Sequence, residues 1–210
     1  MSVPETHSET HPETRTEAPQ GQYLNNFVLI PDVFTPEECR RIIYCNLPAS
    51  QAHVVSFDKE NPEGMQSYND LQMHSRNTKV KSVSHHQSYQ WMYDRVLWNV
   101  RLVNDRFFRF RIERLTALQV LEYENTGFYG THIDVGTGET SLRKLSMVLF
   151  LTPPEEYTGG ELVVKPWFKT IERKQGSALF FPSYLPHEIT PVTGGVRHTL
   201  VTWVLGPCFR

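Results

Sequence analysis

The chain has 210 residues, 39% apolar and 21% charged, with a formal net charge of −2 from 21 basic and 23 acidic side chains. That length predicts one domain plus a tail, with no broad cationic field for nucleic acid and no apolar stretch near the 18 residues of a membrane span. Three cysteines (Cys39, Cys45, Cys208) and no basic-then-apolar leader argue against a secreted staple pattern, so a soluble, cytoplasmic protein is expected.

Residues 1–20 stand apart. Their only apolar side chains are Met1, Val3 and Ala18, and the text reads almost as a repeat: ETHS, ETHP, ETRT. Pro4, Pro12 and Pro19 oppose a helix, and so polar a segment buries too little surface to offset its ordering entropy. It is read as a disordered low-complexity tail, with His7 and His11 solvated, and residues 21–210 as a single domain.

Phe27 to Ile30 is a short apolar run and predicts a strand. Thr35-Pro36-Glu37-Glu38 combines an N-cap, a proline at the first helical position and the glutamate of a capping box. The helix it opens places Cys39, Ile42 and Ile43 on one face. From Ser88 a longer helix is expected, with Tyr89, Met92, Val96, Val100 and Val103 at steps of three and four, packed along a sheet.

After residue 106 the period falls to two. Phe107–Ile112, Ala117–Tyr123, Leu142–Leu151, Glu161–Val164, Ala178–Phe181 and Arg197–Leu205 read as strands. Turn signals separate them: Asn125-Thr126-Gly127, Pro153-Pro154, Thr158-Gly159-Gly160, Gly176-Ser177 and Thr193-Gly194-Gly195. Strands this close together, without helices between them, argue for an antiparallel sandwich or barrel. The expected fold class is α+β: a jelly-roll core over about 107–206, buttressed by N-terminal helices.

His132-Ile133-Asp134 lies just beyond a strand, and His187 opens another, 53 positions after Asp134. Two imidazoles and one carboxylate form the facial triad of non-haem Fe(II) oxygenases. Spacing of two suits an extended backbone, whose alternate side chains share a face. The distant histidine must come from a strand remote in sequence but adjacent in the sheet. His-x-Asp/Glu also occurs at His7/Glu9 and His11/Glu13, so the motif alone leaves open that His132 and His187 are structural histidines. Arg197, ten residues after His187, is expected on the neighbouring strand, past the Thr193-Gly194-Gly195 turn. Its fork suits a carboxylate, and Thr199 adds a hydroxyl. One end of a dicarboxylic cosubstrate would then chelate the metal while arginine holds the other. The alternative is a surface arginine in an ion pair.

Gln119 to Leu205 resembles the Fe(II)- and 2-oxoglutarate-dependent dioxygenases, most closely the prolyl 4-hydroxylase-like branch with its bacterial relatives. The matching text is Gln119-Val120-Leu121-Glu122-Tyr123, Gly127-Phe128-Tyr129-Gly130-Thr131-His132-Ile133-Asp134 and Leu145-Ser146-Met147-Val148-Leu149-Phe150-Leu151. It continues through Tyr157-Thr158-Gly159-Gly160-Glu161-Leu162, Phe181-Pro182-Ser183 and Pro186-His187-Glu188-Ile189-Thr190-Pro191-Val192 to Arg197. The resemblance implies a double-stranded β-helix. It implies His132, Asp134 and His187 as iron ligands and catalytic centre, Arg197 as anchor of the distal carboxylate of 2-oxoglutarate, and Tyr123 as a hydroxyl near that cosubstrate. Phe150 departs from relatives with a second cosubstrate-contacting tyrosine there, which leaves Tyr123 or Thr199 to supply the bond. Trp203 reads equally as core filler or cavity wall. Arg76 and Asn77 resemble a segment bordering the substrate entrance, though surface solvation explains them as well.

The implied chemistry is oxidative. With Fe(II), 2-oxoglutarate and O2, and ascorbate as a further candidate, an unactivated C–H bond becomes an alcohol while succinate and CO2 leave; the cofactor carries the chemistry and the protein orients the carbon. Asp134 favours hydroxylation, because halogenase relatives have a small residue there. The expected substrate is a prolyl or other amino-acid residue. A free amino acid or small metabolite is the alternative, and a non-catalytic jelly-roll binding module the remaining one. Neither nucleic acid nor membrane is expected as a partner.

Overall fold

The computed structural model describes residues 27–52, 76–165 and 169–209. The expected tail over 1–20 lies outside them, as do residues 21–26. The capping box forms: the Thr35 hydroxyl accepts from the Glu38 N–H at 3.2 Å, and the Glu38 carboxylate accepts from the Thr35 N–H at 2.8 Å. Helix α1 (Pro36–Ile43) follows and buries Cys39, Ile42 and Ile43. Helix α2 (Gln90–Val103), entered through a 3₁₀ turn at Gln87–Tyr89, buries Met92, Val96, Val100 and Val103.

Past α2 the expected strand over Phe107–Ile112 does not form. The helix widens into a π turn, Asn104–Phe108, and ends on Arg109 in the left-handed region. The Asn104 side-chain amide donates to the Phe110 carbonyl at 3.0 Å and accepts from the Phe110 N–H at 2.9 Å. That pair of bonds replaces a strand partner. Phe108 and Phe110 stack at 5.8 Å in the helix-side core, so the alternation serves packing and not a ladder.

Two large antiparallel sheets and one two-stranded ribbon carry the rest. The larger runs β1 (Val28–Ile30), β12 (Ala178–Pro182), β8 (Arg143–Phe150), β15 (Arg197–Leu205), β6 (Leu118–Tyr123), β4 (Lys79–Val83) and β2 (Ser50–Gln51), with β5 (Arg114–Leu115) pairing β15. The second runs β11 (Lys169–Thr170), β10 (Leu162–Val164), β13 (His187–Ile189), β7 (Phe128–His132) and β3 (Arg76–Asn77). Side-chain alternation gives the larger sheet two buried faces. Leu145, Met147 and Leu149 meet the helices, while Val148 and Phe150 meet the second sheet; Leu118 and Val120 against Leu121 and Tyr123 repeat the division. Strands buried on both faces read as continuous apolar runs. The fold is α+β, a double-stranded β-helix core with supporting N-terminal helices.

Thr193-Gly194-Gly195 is not the expected turn. It belongs to β14 (Val192–Gly195), which pairs through a bulge with β9 (Tyr157–Gly159). Gly195 has φ +70°, and a Cβ there would stand 2.1 Å from the Glu156 carbonyl oxygen. Glycine here permits close strand approach, not reversal. The chain therefore leaves β13 in one sheet and enters β15 in the facing one.

Candidate active site

The expected Asn125-Thr126-Gly127 turn carries the chain from β6 to the second sheet. Asn125 and Thr126 take φ of 47° and 68°, and the Gly127 N–H donates to the Glu124 carbonyl at 2.7 Å. Strand β7 then ends on His132, directly opposite His187 of β13. Asp134 follows two residues later, its N–H donating to the Ser183 carbonyl at 2.8 Å. The three side chains offer ligand atoms that all lie within 4.8 Å of one another.

Each imidazole is oriented from behind. His132 Nδ1–H donates to the Gly130 carbonyl at 2.8 Å, and His187 Nδ1–H to that of Leu185 at 2.9 Å. Both Nε2 lone pairs are thereby left facing Asp134, at 3.6 Å from Oδ1 and 3.7 Å from Oδ2. Burial lowers the His187 imidazole and favours its neutral form. Burial alone would raise the Asp134 carboxyl, but His187, His132 and the Ser146 hydroxyl outweigh it and hold the group well below the usual carboxylate range. Ser146 Oγ donates to Asp134 Oδ2 at 2.6 Å, and Ser183 Oγ lies 2.9 Å behind Ser146. Arg143 donates to the Asp134 backbone carbonyl at 3.0 Å. Two imidazole nitrogens and a carboxylate oxygen converge here, and once a metal displaces the protons that donor set fits a divalent iron.

A cavity of about 770 Å³ opens on the triad between the sheets. Arg197, 1% exposed, lines it from β15; no carboxylate pairs with its guanidinium among the described residues, and no well-formed hydrogen bond closes on its three nitrogens, with the Tyr123 and Tyr157 phenols as its nearest polar neighbours. The guanidinium carbon stands 5.1 Å from the Tyr123 ring centroid. The ten-residue spacing suggested a neighbouring strand, but the second sheet holds His187 and the larger one Arg197. The two reach the cavity from opposite walls. A buried, unpartnered cation is costly unless an anion completes it, so this end of the cavity fits a carboxylate.

Gly160 makes room for that side chain. It has φ +63°, and a Cβ there would lie 2.8 Å from Arg197 Cδ and 2.9 Å from Val192 Cγ2. Gly160→Ala is expected to cost about 1–2 kcal/mol in backbone strain alone and to weaken the binding of a dicarboxylate such as 2-oxoglutarate at Arg197 while leaving metal content intact. Denaturant midpoints and a cosubstrate titration check this; an unchanged affinity would show that Arg197 tolerates the crowding.

Tyr123 and Thr199 are buried and line the cavity, and Trp203 is cavity wall, with the Arg143 guanidinium 3.8 Å from its ring centroid. Phe150 lies in the core between the sheets. Arg76 is buried, lines the cavity, and has its guanidinium 4.6 Å from the Tyr129 ring centroid. Tyr129 in turn stacks on His132 at 3.5 Å, and burial pushes its phenol up to about 12. Sequence reasoning assigned no role to Ser146, Ser183, Arg143 or Tyr129. The signal for Ser146 was there: one hydroxyl inside the apolar run from Leu145 to Leu151.

Residues 118–205 match the profile of the 2OG-Fe(II) oxygenase superfamily. A PKHD-type hydroxylase of Hyphomonas neptunium is 46% identical over 82 residues, which are 36% of this chain and 37% of that protein. The match thus spans well under half of the curated relative's length. Among solved structures, a prolyl-4-hydroxylase of Pseudomonas putida superposes with a TM-score of 0.60 at 19% identity, covering 87% of this chain and 93% of that one. A prolyl hydroxylase of Trichoplax adhaerens, solved with a hypoxia inducible factor oxygen degradation domain peptide, gives 0.64 at 17% identity over 86% and 84%. At those identities the superpositions speak for the double-stranded β-helix fold.

Proposed function

We propose that this chain is a member of the Fe(II)/2-oxoglutarate-dependent dioxygenase superfamily, in its prolyl 4-hydroxylase-like branch, and that it hydroxylates an unactivated C–H bond of a prolyl or other amino-acid residue. The observation carrying this reading is the buried Arg197, unpartnered in the same cavity as the His132–Asp134–His187 group. His132, Asp134 and His187 would hold the iron. Arg197 would grip the distal carboxylate of 2-oxoglutarate, with Tyr123 and Thr199 beside it. Iron and 2-oxoglutarate, when bound, supply the oxidising power that turns C–H into C–OH with O2, releasing succinate and CO2. Ascorbate as a reductant and a cytoplasmic location complete the reading, with neither nucleic acid nor membrane as partner, and residues 21–210 acting as one domain.

The protein's own part is positional. Leu185 and Gly130 fix both imidazoles in one tautomer, and Ser146 holds the carboxylate. Leu121, Val148 and Val201 line the cavity on the stretch between Arg197 and the triad, and their apolar walls strengthen a charge-assisted grip. A peptide substrate draws support from the peptide held by the Trichoplax relative. A free amino acid or small metabolite is the alternative, and a binding module without catalysis the rival class.

Anaerobic loading with Fe(II) and 2-oxoglutarate, followed by O2 and mass spectrometry of amino acids and proline-containing peptides, is expected to yield succinate and products heavier by one oxygen atom. A chain that holds no iron and forms no succinate would be a binding module.

A further inference from the structure

One stretch of the surface carries positive charge that the fold leaves unanswered. Between residues 101 and 114 stand Arg101, Arg106, Arg109, Arg111 and Arg114 against Asp105 and Glu113, in a chain whose net charge is −2. Packing turns them outward. Phe108, Phe110 and Ile112 lie against the helix-side core, so the alternate positions Arg109, Arg111 and Glu113 are exposed. At the end of α2, Arg101 and Leu102 follow Trp98 by three and four residues, and Arg106 follows Leu102 by four, so all share one helix face. Trp98 on that face is 69% exposed. Three other exposed arginines have partners: Arg95 pairs with Glu38 at 3.1 Å, Arg114 with Glu139 at 2.7 Å, and Arg41 lies 4.9 Å from the Trp91 ring centroid. Arg101, Arg106, Arg109 and Arg111 form neither an ion pair nor a side-chain hydrogen bond among the described residues.

None of these four arginines lines the cavity, yet the segment leads towards it. Three residues beyond Arg111, Arg114 holds Glu139, which does line it. The backbone that presents the arginines is fixed from inside. Asn104 ties Phe110 through both ends of its amide, and Phe108 stacks on Phe110, so a partner meets a surface already ordered. Arginine and tryptophan are also the side chains that most often carry binding energy at protein interfaces. Four unpaired guanidinium groups call for carboxylates, and Trp98 calls for an apolar side chain among them. Asp105 and Glu113 interrupt the positive surface. A phosphate backbone, charged at every nucleotide, would meet both acids, whereas a peptide can space its carboxylates to avoid them. We propose that Trp98, Arg101, Arg106, Arg109 and Arg111 form a docking surface for an acidic segment of a protein substrate, outside the cavity and several residues along that substrate from the carbon hydroxylated. That the docked protein is a substrate rests on the oxygenase reading; docking itself needs neither iron nor cosubstrate.

Fluorescence anisotropy on the metal-free full chain compares the labelled peptide EELEEFEE with its counterpart QQLQQFQQ and with an oligothymidylate of the same length. At about 50 mM salt the acidic peptide is expected to bind about tenfold tighter than either, the sum of several exposed ion pairs. The advantage should shrink as salt rises, because exposed charges are screened over about 10 Å at 0.1 M. Arg106→Gln together with Arg109→Asn and Arg111→Gln is expected to abolish it; asparagine suits the left-handed backbone at position 109. Hydrogen exchange on the parent, expected to slow over residues 98–111 when the acidic peptide is bound, locates the surface without any variant. Equal binding of the glutamine peptide, no binding of the acidic one, protection only outside 98–111, or an undiminished advantage in the folded triple variant overturns the inference. Tighter binding of the oligothymidylate overturns it too, and would make this a nucleic-acid surface. Each of these outcomes leaves the oxygenase reading intact, since that reading stands on iron retention and succinate formation.

Discussion

Arg197→Met is expected to weaken 2-oxoglutarate binding by roughly 100- to 1,000-fold or more while raising the stability of the cosubstrate-free protein. Removing one partner of a buried, hydrogen-bonded charge pair costs about 3–5 kcal/mol, because the other charge is left uncompensated, and about 1.4 kcal/mol is a factor of ten. The second half has the opposite sign. Without an anion, the guanidinium is buried with three unsatisfied nitrogens, and replacing buried charge by an apolar side chain of similar volume is neutral or stabilising by about 1–4 kcal/mol. Parent protein should recover stability as cosubstrate is added, by about 2.7 kcal/mol at one hundred times its dissociation constant, and the variant should not. Titration of the Fe(II) charge-transfer band and denaturant melts with and without 2-oxoglutarate give both quantities. Parent-like affinity in the variant would make Arg197 a structural residue and move the pocket elsewhere.

Asp134→Ala is expected to abolish iron retention and, with it, all succinate formation. The substitution removes the only carboxylate of the triad and leaves two imidazoles. Supporting groups behind a metal ligand typically contribute 10- to 100-fold in affinity, so loss of the ligand itself should exceed about 100-fold. Ser146→Ala calibrates the scale, because it removes the 2.6 Å hydrogen bond to Oδ2 and leaves the carboxylate in place. It should fall in the range of about 10- to 100-fold. Metal analysis after dialysis, and Co(II) absorption as a geometric probe, order the three proteins. Iron content in Asp134→Ala equal to that of the parent would remove the triad from the metal site.

How much of this was legible varies with how local the cause is. The capping box at Thr35–Glu38 and the steps from Met92 to Val103 are written within one or two turns of helix, and both elements form where the text places them. The run Leu145–Leu151 marks a strand covered on both faces, which periodicity cannot tell from a buried helix but the flanking turn residues can. Lys79–Val83 is polar and irregular, and becomes a strand because β6 pairs with it across more than thirty residues and β2 covers its other edge. Phe107–Ile112 fails for the reverse reason. A single amide, Asn104, captures Phe110 and ends the helix without a ladder. For the site, spacing conveyed that His132 and Asp134 share a face, and the adjacency of His187 followed from needing a third ligand. Which wall Arg197 would occupy depends on β14 passing between the sheets, and connection length carries no such information.

The direct opposition of His132 and His187 also bears on how the chain must assemble. Because a strand's side chains alternate, a slip of one residue between β7 and β13 would turn one imidazole away and leave only one beside Asp134. Metal affinity is therefore a readout of correct alignment between segments some fifty residues apart, and of nothing looser. During refolding, Co(II) colour should emerge only in the last phase, after far-ultraviolet signals report that helices and strands are in place. A misregistered sheet would have nearly native secondary structure and remain colourless.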